Sequence, residues 1–302
     1  MSQRRIVTLA TVAVLALAAS TGAFAQAVGA TPGAGVQRIA DVAYGSDPRQ
    51  RMDVYVPTTG RHGPVASAAG APVIFMVHGG GWRHGDKAMG GVVQEKVARW
   101  VPQGFVLVSV NYRLLPGAPV AQQARDVQAA LVAAQQHAAT WGADPGRFIL
   151  MGHSAGAHLV ALLNARAREA QREGARPWLG AVVLDSAVMN VPTLMRARHV
   201  PLYDDAFGAD PADWVAVSPY HQWTAGAPPM QLVCSTERPD RPCLQAEAMA
   251  RHVHSQGGRA EVQPQGLSHG EINAQLGREG SYTRAVEAFM GSLDAEVARR
   301  LQ

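Results

Sequence analysis

The sequence has no long run of basic residues and little net charge. Among its 302 residues, 27 lysines and arginines stand against 23 aspartates and glutamates, which gives a formal charge of +4 at pH 7. Proteins that bind nucleic acid cluster basic side chains on one surface to contact phosphates. We therefore expect no nucleic acid partner.

A long apolar run is also missing, except near the first residue. Arg4 and Arg5 precede the run IVTLATVAVLALAA, and the small-x-small pattern Ala23-Phe24-Ala25 follows it. This order is typical of a secretory signal peptide, whereas the alternative, a membrane anchor, needs a longer apolar run. We predict a signal peptide over residues 1–25, no membrane span, and a periplasmic or secreted bacterial protein.

Cysteine is scarce, because the chain contains only Cys234 and Cys243. In an exported protein an even number of cysteines indicates a disulfide bond. Two unrelated thiols are the alternative. We predict a bond between Cys234 and Cys243, and we see no pattern of histidines and cysteines that indicates a metal site.

Strand-like and helix-like segments alternate along the rest of the chain, in which apolar residues make up 47% of the composition. The strand-like segments are IADVAYG, RMDVYVP, VIFMVHG, FVLVSVNY, FILMGHS, LGAVVLDSA, PMQLVCST and AEVQPQG. Continuous Val-rich runs are typical of parallel strands that helices cover on both faces. We predict a flexible segment over residues 26–37 and then a single α/β domain over residues 38–302.

One segment, residues 187–229, does not fit the alternation, since it is rich in proline and irregular. A connection of this length within a compact domain is often functional. Two interpretations remain open: a small cap over the functional site, or a surface excursion with a short helix.

The most informative motif is Gly152-His153-Ser154-Ala155-Gly156, which lies between a buried strand-like run and a helix-like run. In this context G-x-S-x-G forms a strained turn that exposes the serine hydroxyl at the edge of the sheet. Ser154 is therefore the candidate nucleophile. The backbone N–H of Ala155 is a candidate donor to an oxyanion.

A serine hydroxyl is a weak nucleophile, so it needs a base, and the base needs an acid to orient it. His269 follows the last strand-like segment, and this position makes it the candidate base. For the acid we predict Asp240, in the loop after PMQLVCST. Glu237, in the same loop, and Asp185, at the end of the preceding strand, are the alternatives.

A glycine cluster supplies candidates for the second half of an oxyanion hole. The strand-like run VIFMV leads into His78-Gly79-Gly80-Gly81-Trp82. Glycine allows a backbone N–H to approach a substrate oxygen closely. Gly80 and Gly81, together with Ala155, are therefore the predicted oxyanion donors.

These motifs, with RHGDK, VSVNYRLLP and DVAYGSDPRQRMDVYVP, resemble the α/β-hydrolase superfamily over roughly residues 38–300. Within it, the sequence is similar to the small carboxylesterases related to hormone-sensitive lipase, feruloyl esterases and arylformamidases. The resemblance implies an eight-stranded, mostly parallel sheet, no cofactor, Ser154 as nucleophile and His269 as base. One stretch departs from the pattern: the acid loop reads CSTERPDRPC.

The leading functional prediction is an exported serine carboxylesterase that acts through an acyl-enzyme on Ser154, with a small-molecule or polymer ester as substrate. An amidase or arylformamidase, or a polyester depolymerase, would use the same residues. A catalytically inactive hydrolase fold that serves as a binding module is a further alternative. Such a module would be expected to lose the serine or the histidine, and both are present.

Overall fold

The alternating segments form one eight-stranded sheet in the computed structural model, which describes residues 35–58 and 70–302. The strands are β1 (Val36–Ala43), β2 (Arg51–Pro57), β3 (Ala71–Val77), β4 (Val106–Val110), β5 (Ala143–His153), β6 (Gly180–Leu184), β7 (Met230–Ser235) and β8 (Ala260–Gln265). All eight strand-like segments of the sequence overlap these strands. The predicted signal peptide, residues 1–25, lies outside the described residues.

The strands pair in the order β1-β2-β4-β3-β5-β6-β7-β8. β2 is antiparallel to both of its neighbours, and β4, β3, β5, β6, β7 and β8 are parallel to one another. Every residue of β3, β4, β6 and β7 is buried, as the continuous apolar runs predicted. The predicted α/β-hydrolase fold with a mostly parallel sheet is confirmed.

Twelve α-helices accompany the sheet in the described part of the chain. They are α1 (Gly90–Trp100), α2 (Val120–His137), α3 (Ala155–Ala165), α4 (Ala167–Arg172), α5 (Val191–Arg196), α6 (Pro201–Phe207), α7 (Pro211–Ala216), α8 (Pro219–Gln222), α9 (Pro242–Ser255), α10 (His269–Gln275), α11 (Ser281–Gly291) and α12 (Ala295–Leu301). The last two helices, α11 and α12, are separate, and the Asp294 side chain accepts hydrogen bonds from the N–H groups of Glu296 and Val297 at the start of α12.

The irregular segment, residues 187–229, contains the four short helices α5 to α8. Each has a proline in its first turn, where the missing N–H costs nothing and the fixed φ favours the helix. This explains why a Pro-rich sequence still forms helices. Over residues 35–58 and 70–302, no helix is both long and apolar enough to cross a membrane.

The structure contains the disulfide bond between Cys234 and Cys243 that the sequence predicted. It joins the end of β7 to the first turn of α9 and encloses the loop CSTERPDRPC. The bond therefore restrains the loop in which the acid was predicted.

Reducing this disulfide is expected to lower the free energy of unfolding by roughly 2–3 kcal/mol, because the unfolded chain regains the entropy of a short loop. Urea denaturation with and without a reductant measures the change. A Cys234→Ala/Cys243→Ala variant is the matched control, since the reductant should not change its stability. Equal stability of the wild-type protein under both conditions, with two titratable thiols present, would contradict the prediction.

Candidate active site

Ser154 lies on a sharp turn between β5 and α3. Its φ of 56° and ψ of −119° are strained for a residue with a side chain. The glycines on either side make this turn possible. A Cβ on Gly152 would lie 2.4 Å from the Gly156 carbonyl oxygen, and a Cβ on Gly156 would lie 2.3 Å from the Val77 carbonyl oxygen. The glycine spacing is therefore required by backbone packing, and the turn exposes the hydroxyl.

His269 is positioned by the first turn of α10. Ser268 caps this helix together with Glu271 in a capping box. The Nε2 atom of His269 lies 2.9 Å from the Ser154 Oγ atom. The structure thus brings together the serine and the histidine that the sequence singled out, although they are 115 residues apart.

The carboxylate next to His269 belongs to Asp185 and not to Asp240. Asp185 Oδ2 lies 2.6 Å from His269 Nδ1. Asp240 instead forms two hydrogen bonds with the Arg238 guanidinium, at 2.9 Å and 2.5 Å. The position beside His269 that was predicted for Asp240 is therefore corrected to Asp185, which was one of the alternatives. The other alternative, Glu237, is exposed.

Asp185 occupies this place because β6 pairs directly with β5, the strand that precedes Ser154. It follows β6 with a φ of 56°, the same value as the φ of Ser154. The side chain is fully buried, and its Oδ1 atom accepts a hydrogen bond of 2.8 Å from the Ser235 N–H. The carboxylate is thus held from two sides.

Burial raises the pKa of Asp185, but hydrogen bonds from His269, Arg238 and the Ser235 N–H outweigh this effect. The net result is a pKa below the ordinary value of an aspartate. Asp185 is therefore ionised at neutral pH and can hold the imidazole with its Nδ1 proton toward the carboxylate.

Arg238 is a residue of this site that sequence reasoning missed. Its Nη1 atom donates to Asp185 Oδ2 at 2.8 Å and lies 2.9 Å from His269 Nδ1. Its Nε and Nη2 atoms bind Asp240. The signal was present in CSTERPDRPC, because a cation stands between the two acidic residues of the loop.

The glycine loop, residues 79–81 after β3, passes directly beside Ser154. A Cβ on Gly79 would lie 2.9 Å from Ser154 Cβ, so only glycine allows this approach. Gly80 and Gly81 have φ values of 123° and 60°, and the Gly80 carbonyl accepts hydrogen bonds from the N–H groups of Arg83 and His84. The backbone around Gly80 is thereby fixed in a turn next to the nucleophile.

A buried polar network supports the residues that follow the glycine loop. Asn111 Nδ2 donates to Asp86 at 2.7 Å, and its Oδ1 atom accepts from the Lys87 N–H at 2.7 Å. The Lys87 ammonium lies within 2.9 Å of both Asp41 and Asp53. The motif RHGDK therefore anchors the loop to β1 and β2 and takes no place beside Ser154.

Three buried histidines surround the site, and burial keeps each of them neutral near pH 7. Burial lowers the pKa of His78 and of His158 to about 4. Burial, followed by the proximity of His269, lowers the pKa of His153 to about 3. His153 Nε2 donates to the His269 carbonyl at 2.9 Å and so fixes the backbone of the candidate base.

The burial of His158 makes the free energy of unfolding depend on pH. Its pKa of about 4 in the folded protein is below that of the unfolded chain, so the unfolded state binds the extra proton as pH falls. The stabilising contribution is complete above about pH 6.5 and is lost as pH falls toward 4. Between pH 8 and pH 5 this loss is about 2 kcal/mol.

We expect His158→Gln to remove this dependence while keeping the hydrogen bond to the Val217 carbonyl, which His158 makes at 2.7 Å. Unfolding free energies from urea denaturation at pH 8 and pH 5 give the difference for each protein. That difference should be about 2 kcal/mol smaller in the variant than in the wild type. Identical differences in the two proteins would show that His158 does not cause this part of the pH dependence.

Helix α6 packs against the glycine loop. A Cβ on Gly81 would lie 3.0 Å from Leu202 Cδ1, and the Trp82 ring centroid is 5.0 Å from that of Phe207. Arg83 and Asp205 form an exposed ion pair of 2.9 Å across the same contact. An apolar wall of the irregular segment thus borders the glycine loop.

Over residues 35–58 and 70–302, no cluster of three His, Cys, Asp or Glu side chains could hold a metal ion.

Comparisons with solved structures agree with this fold. Esterase B from Lactobacillus rhamnosis superposes with a TM-score of 0.69 at 20% identity, covering 91% of this chain and 90% of that chain. Esterase 2 from Thermogutta terrifontis gives a TM-score of 0.67 at 22% identity, with 86% and 95% covered. The Thermogutta protein is also known in a form phosphonylated by sarin.

Sequence comparisons extend the similarity to named esterases. Esterase LipC from Mycobacterium tuberculosis is 27% identical over 83% of this chain and 64% of its own length. Isoprenylcysteine alpha-carbonyl methylesterase ICME from Arabidopsis thaliana is 30% identical over 44% of this chain and 29% of its own. The chain spans less than two thirds of the length of these curated relatives.

The chain also matches a protein family over more than half of its length. The BD-FAE family matches residues 52–249, which is about two thirds of the sequence. The matched part includes the turn of residues 152–156 that presents Ser154 (the elbow), and it also includes Asp185 and the loop between the two cysteines. The resemblance to the α/β-hydrolase carboxylesterase group that the motifs indicated is thereby confirmed. This chain belongs to the BD-FAE family.

Proposed function

We propose that this protein is an exported serine carboxylesterase that forms an acyl-enzyme on Ser154. The observation that carries the proposal is the continuous chain of contacts from Ser154 Oγ to His269 Nε2 and from His269 Nδ1 to Asp185 Oδ2, at 2.9 Å and 2.6 Å. These are the distances that a nucleophile, a base and an orienting acid require.

In the first half of the reaction, Ser154 Oγ attacks the ester carbonyl carbon while His269 Nε2 takes the hydroxyl proton. Asp185 stabilises the imidazolium that forms, because its carboxylate accepts a hydrogen bond from the Nδ1–H group while the proton stays on the imidazole. The tetrahedral intermediate collapses as His269 returns the proton to the leaving alcohol. The acyl group is then bonded to Ser154 Oγ, and the alcohol departs.

In the second half, water takes the place of the alcohol. His269 removes one water proton while the oxygen attacks the acyl carbon, and the same proton returns to Ser154 Oγ when the acid leaves. Hydrolysis needs no further reactant, and the enzyme ends in its starting protonation state.

The developing oxyanion needs donors that are fixed before the reaction begins. We assign this role to the N–H groups of Gly80, Gly81 and Ala155. The contact of Gly79 with Ser154 and the turn that fixes Gly80 support the assignment, since both hold the glycine loop next to the nucleophile. Ala155 is the first residue of α3, where helix N–H groups have no partner within the helix.

Ester hydrolysis is favoured over other acyl chemistry because the named relatives and the structural neighbours are esterases. Leu202 and Phe207 of α6 provide an apolar wall beside the glycine loop, which suits an uncharged ester. Export is supported by the disulfide between Cys234 and Cys243, which persists in oxidising compartments.

Initial rates on p-nitrophenyl esters of graded acyl length, with matched p-nitroanilides as amide controls, test the proposal. We expect measurable turnover on at least the short esters and much slower cleavage of the corresponding anilides. Feruloyl and formanilide substrates extend the series toward the alternatives. Cleavage of anilides without cleavage of esters would show an amidase, and the absence of any hydrolysis would contradict an enzymatic role.

A further inference from the structure

The loop after β7 presents a cation, Arg238, to the carboxylate that orients the candidate base. Arg238 Nη1 donates to the Asp185 backbone carbonyl at 3.0 Å and to its Oδ2 atom at 2.8 Å. The Arg238 side chain is mostly buried, with 18% exposed. This contact holds the loop against the end of β6.

His269 and Arg238 share one acceptor atom. Asp185 Oδ2 lies 2.6 Å from His269 Nδ1 and 2.8 Å from Arg238 Nη1, and the two nitrogens are 2.9 Å apart. A guanidinium only donates hydrogen bonds, so it cannot accept the Nδ1 proton of the histidine. Arg238 therefore competes with His269 for the carboxylate and places positive charge beside the imidazole.

Asp240 offsets that charge. Its two oxygens bind Arg238 Nε and Nη2 in the bidentate geometry of a strong ion pair, on the side of the guanidinium opposite to Asp185. Asp240 is 44% exposed, so solvent screens it more than it screens Asp185. The guanidinium is thus held between one buried and one half-exposed carboxylate.

We propose that Arg238 and Asp240 form a positioning pair that sets the pH at which His269 becomes active as the base. The inference rests on the proposed function, because it concerns the same triad. The guanidinium opposes protonation of the imidazole by charge and by drawing on the same carboxylate. Asp240 limits this effect by neutralising the guanidinium.

Other ionisable groups also face the site from the elements packed around His269. They are His153 at the end of β5, Asp185 after β6, Tyr203 on α6, Lys96 on α1, Tyr282 on α11 and Glu271 on α10 itself. Of these, Lys96 titrates within the working range, because burial lowers its pKa to about 7. All of them are present in every variant described next, so differences between variants isolate the Arg238 and Asp240 charges.

The test is the pH dependence of kcat/KM on one short p-nitrophenyl ester. On the acidic side of this profile, kcat/KM falls as His269 loses its role as a base, and this part is the acidic limb. We expect Arg238→Met to shift the midpoint of the acidic limb to a pH about one unit higher, since a full positive charge next to the imidazole is removed. Asp240→Asn should move it downward by about half a unit, because the remaining guanidinium is no longer neutralised and the lost charge is screened. If the two charges act independently, the acidic limb of the double variant Arg238→Met/Asp240→Asn should lie about half a unit above that of the wild type, between the two single variants.

Arg238→Lys is the conservative control, since it keeps the charge without the fork that binds two carboxylates. It should keep the limb within about 0.3 unit of the wild type, while kcat falls a few-fold because the carboxylate is held less firmly. Asp240→Asn, in an exposed position, keeps the test usable if Arg238→Met does not fold.

Opposite shifts in the two single variants support the inference. Unmoved limbs, or shifts in the same direction, overturn it and leave Arg238 with a structural role only. A wild-type protein that hydrolyses no ester would instead count against the proposed function, so the two failures are distinguishable.

Discussion

Ser154→Ala is expected to lower kcat on an aryl ester by roughly 10⁶-fold, because the nucleophile and its acyl-enzyme are lost together. The hydroxyl contacts the His269 Nε2 atom and lies beside the glycine loop. The residues on either side of it, His153 and Ala155, carry no hydroxyl that could take its place. The residual rate should come from binding and the oxyanion donors alone.

The matched control is Ser255→Ala, which removes an exposed hydroxyl at the end of α9, remote from the elbow in the sequence. It should leave kcat within about twofold of the wild type, because surface substitutions of this kind change little. Circular dichroism and urea denaturation establish that both variants are folded. A folded Ser154→Ala protein with near-normal turnover would rule out Ser154 as the nucleophile.

Asp185→Asn is the second large effect, with an expected loss in kcat of roughly 10⁴-fold. An amide keeps the size of the side chain but cannot stabilise the imidazolium, and it favours the wrong imidazole tautomer. The Ser154 hydroxyl and the glycine loop remain in place. The loss should therefore be smaller than that of Ser154→Ala.

Asp240→Asn and Glu237→Gln test the same assignment from the other side. Measured at pH 8, each should lose less than about tenfold, because neither carboxylate contacts His269 and Glu237 is exposed. The three variants are compared on one ester, with folding controls. If Asp240→Asn collapsed while Asp185→Asn remained active, the acid would be Asp240 and the observed geometry would not be the catalytic one.

The features of the site that the sequence predicted are those with a local cause. The glycines at 152 and 156 have neighbours within 2.4 Å of an added Cβ, so the elbow can be inferred from the spacing itself. His269 follows β8 and begins a helix whose capping box is written in four consecutive residues. The continuous apolar runs that form β3, β4, β6 and β7 likewise predicted buried strands from the local sequence alone.

The carboxylate beside His269 is not the one that the sequence predicted, because its position depends on three-dimensional pairing. Asp185 and Asp240 both follow parallel strands at the same edge of the sheet, so position in the chain does not separate them. What separates them is Arg238, which turns toward Asp185 and occupies the space beside His269 in the loop after β7. The sequence shows that Arg238 is present, but it does not show that the buried carboxylate it binds is that of Asp185.

The irregular segment shows a further limit of sequence reasoning. Its prolines predicted irregular structure, yet they start four short helices, and one of these, α6, contacts the glycine loop from a distant part of the chain. The Trp82 ring meets Phe207 and His158 only after folding brings β3, α3 and α6 together. Long-range packing of this kind has no periodic signal in the sequence.

The most direct test of a serine hydrolase centred on Ser154 is the site of covalent labelling by a p-nitrophenyl phosphonate. Intact-mass spectrometry should show one phosphonyl group per wild-type chain, and peptide mapping should locate it on Ser154. The Ser154→Ala protein should remain unlabelled, and Asp185→Asn should be labelled far more slowly. Stoichiometric labelling of Ser154→Ala, or a wild-type adduct on any other residue, would contradict the account.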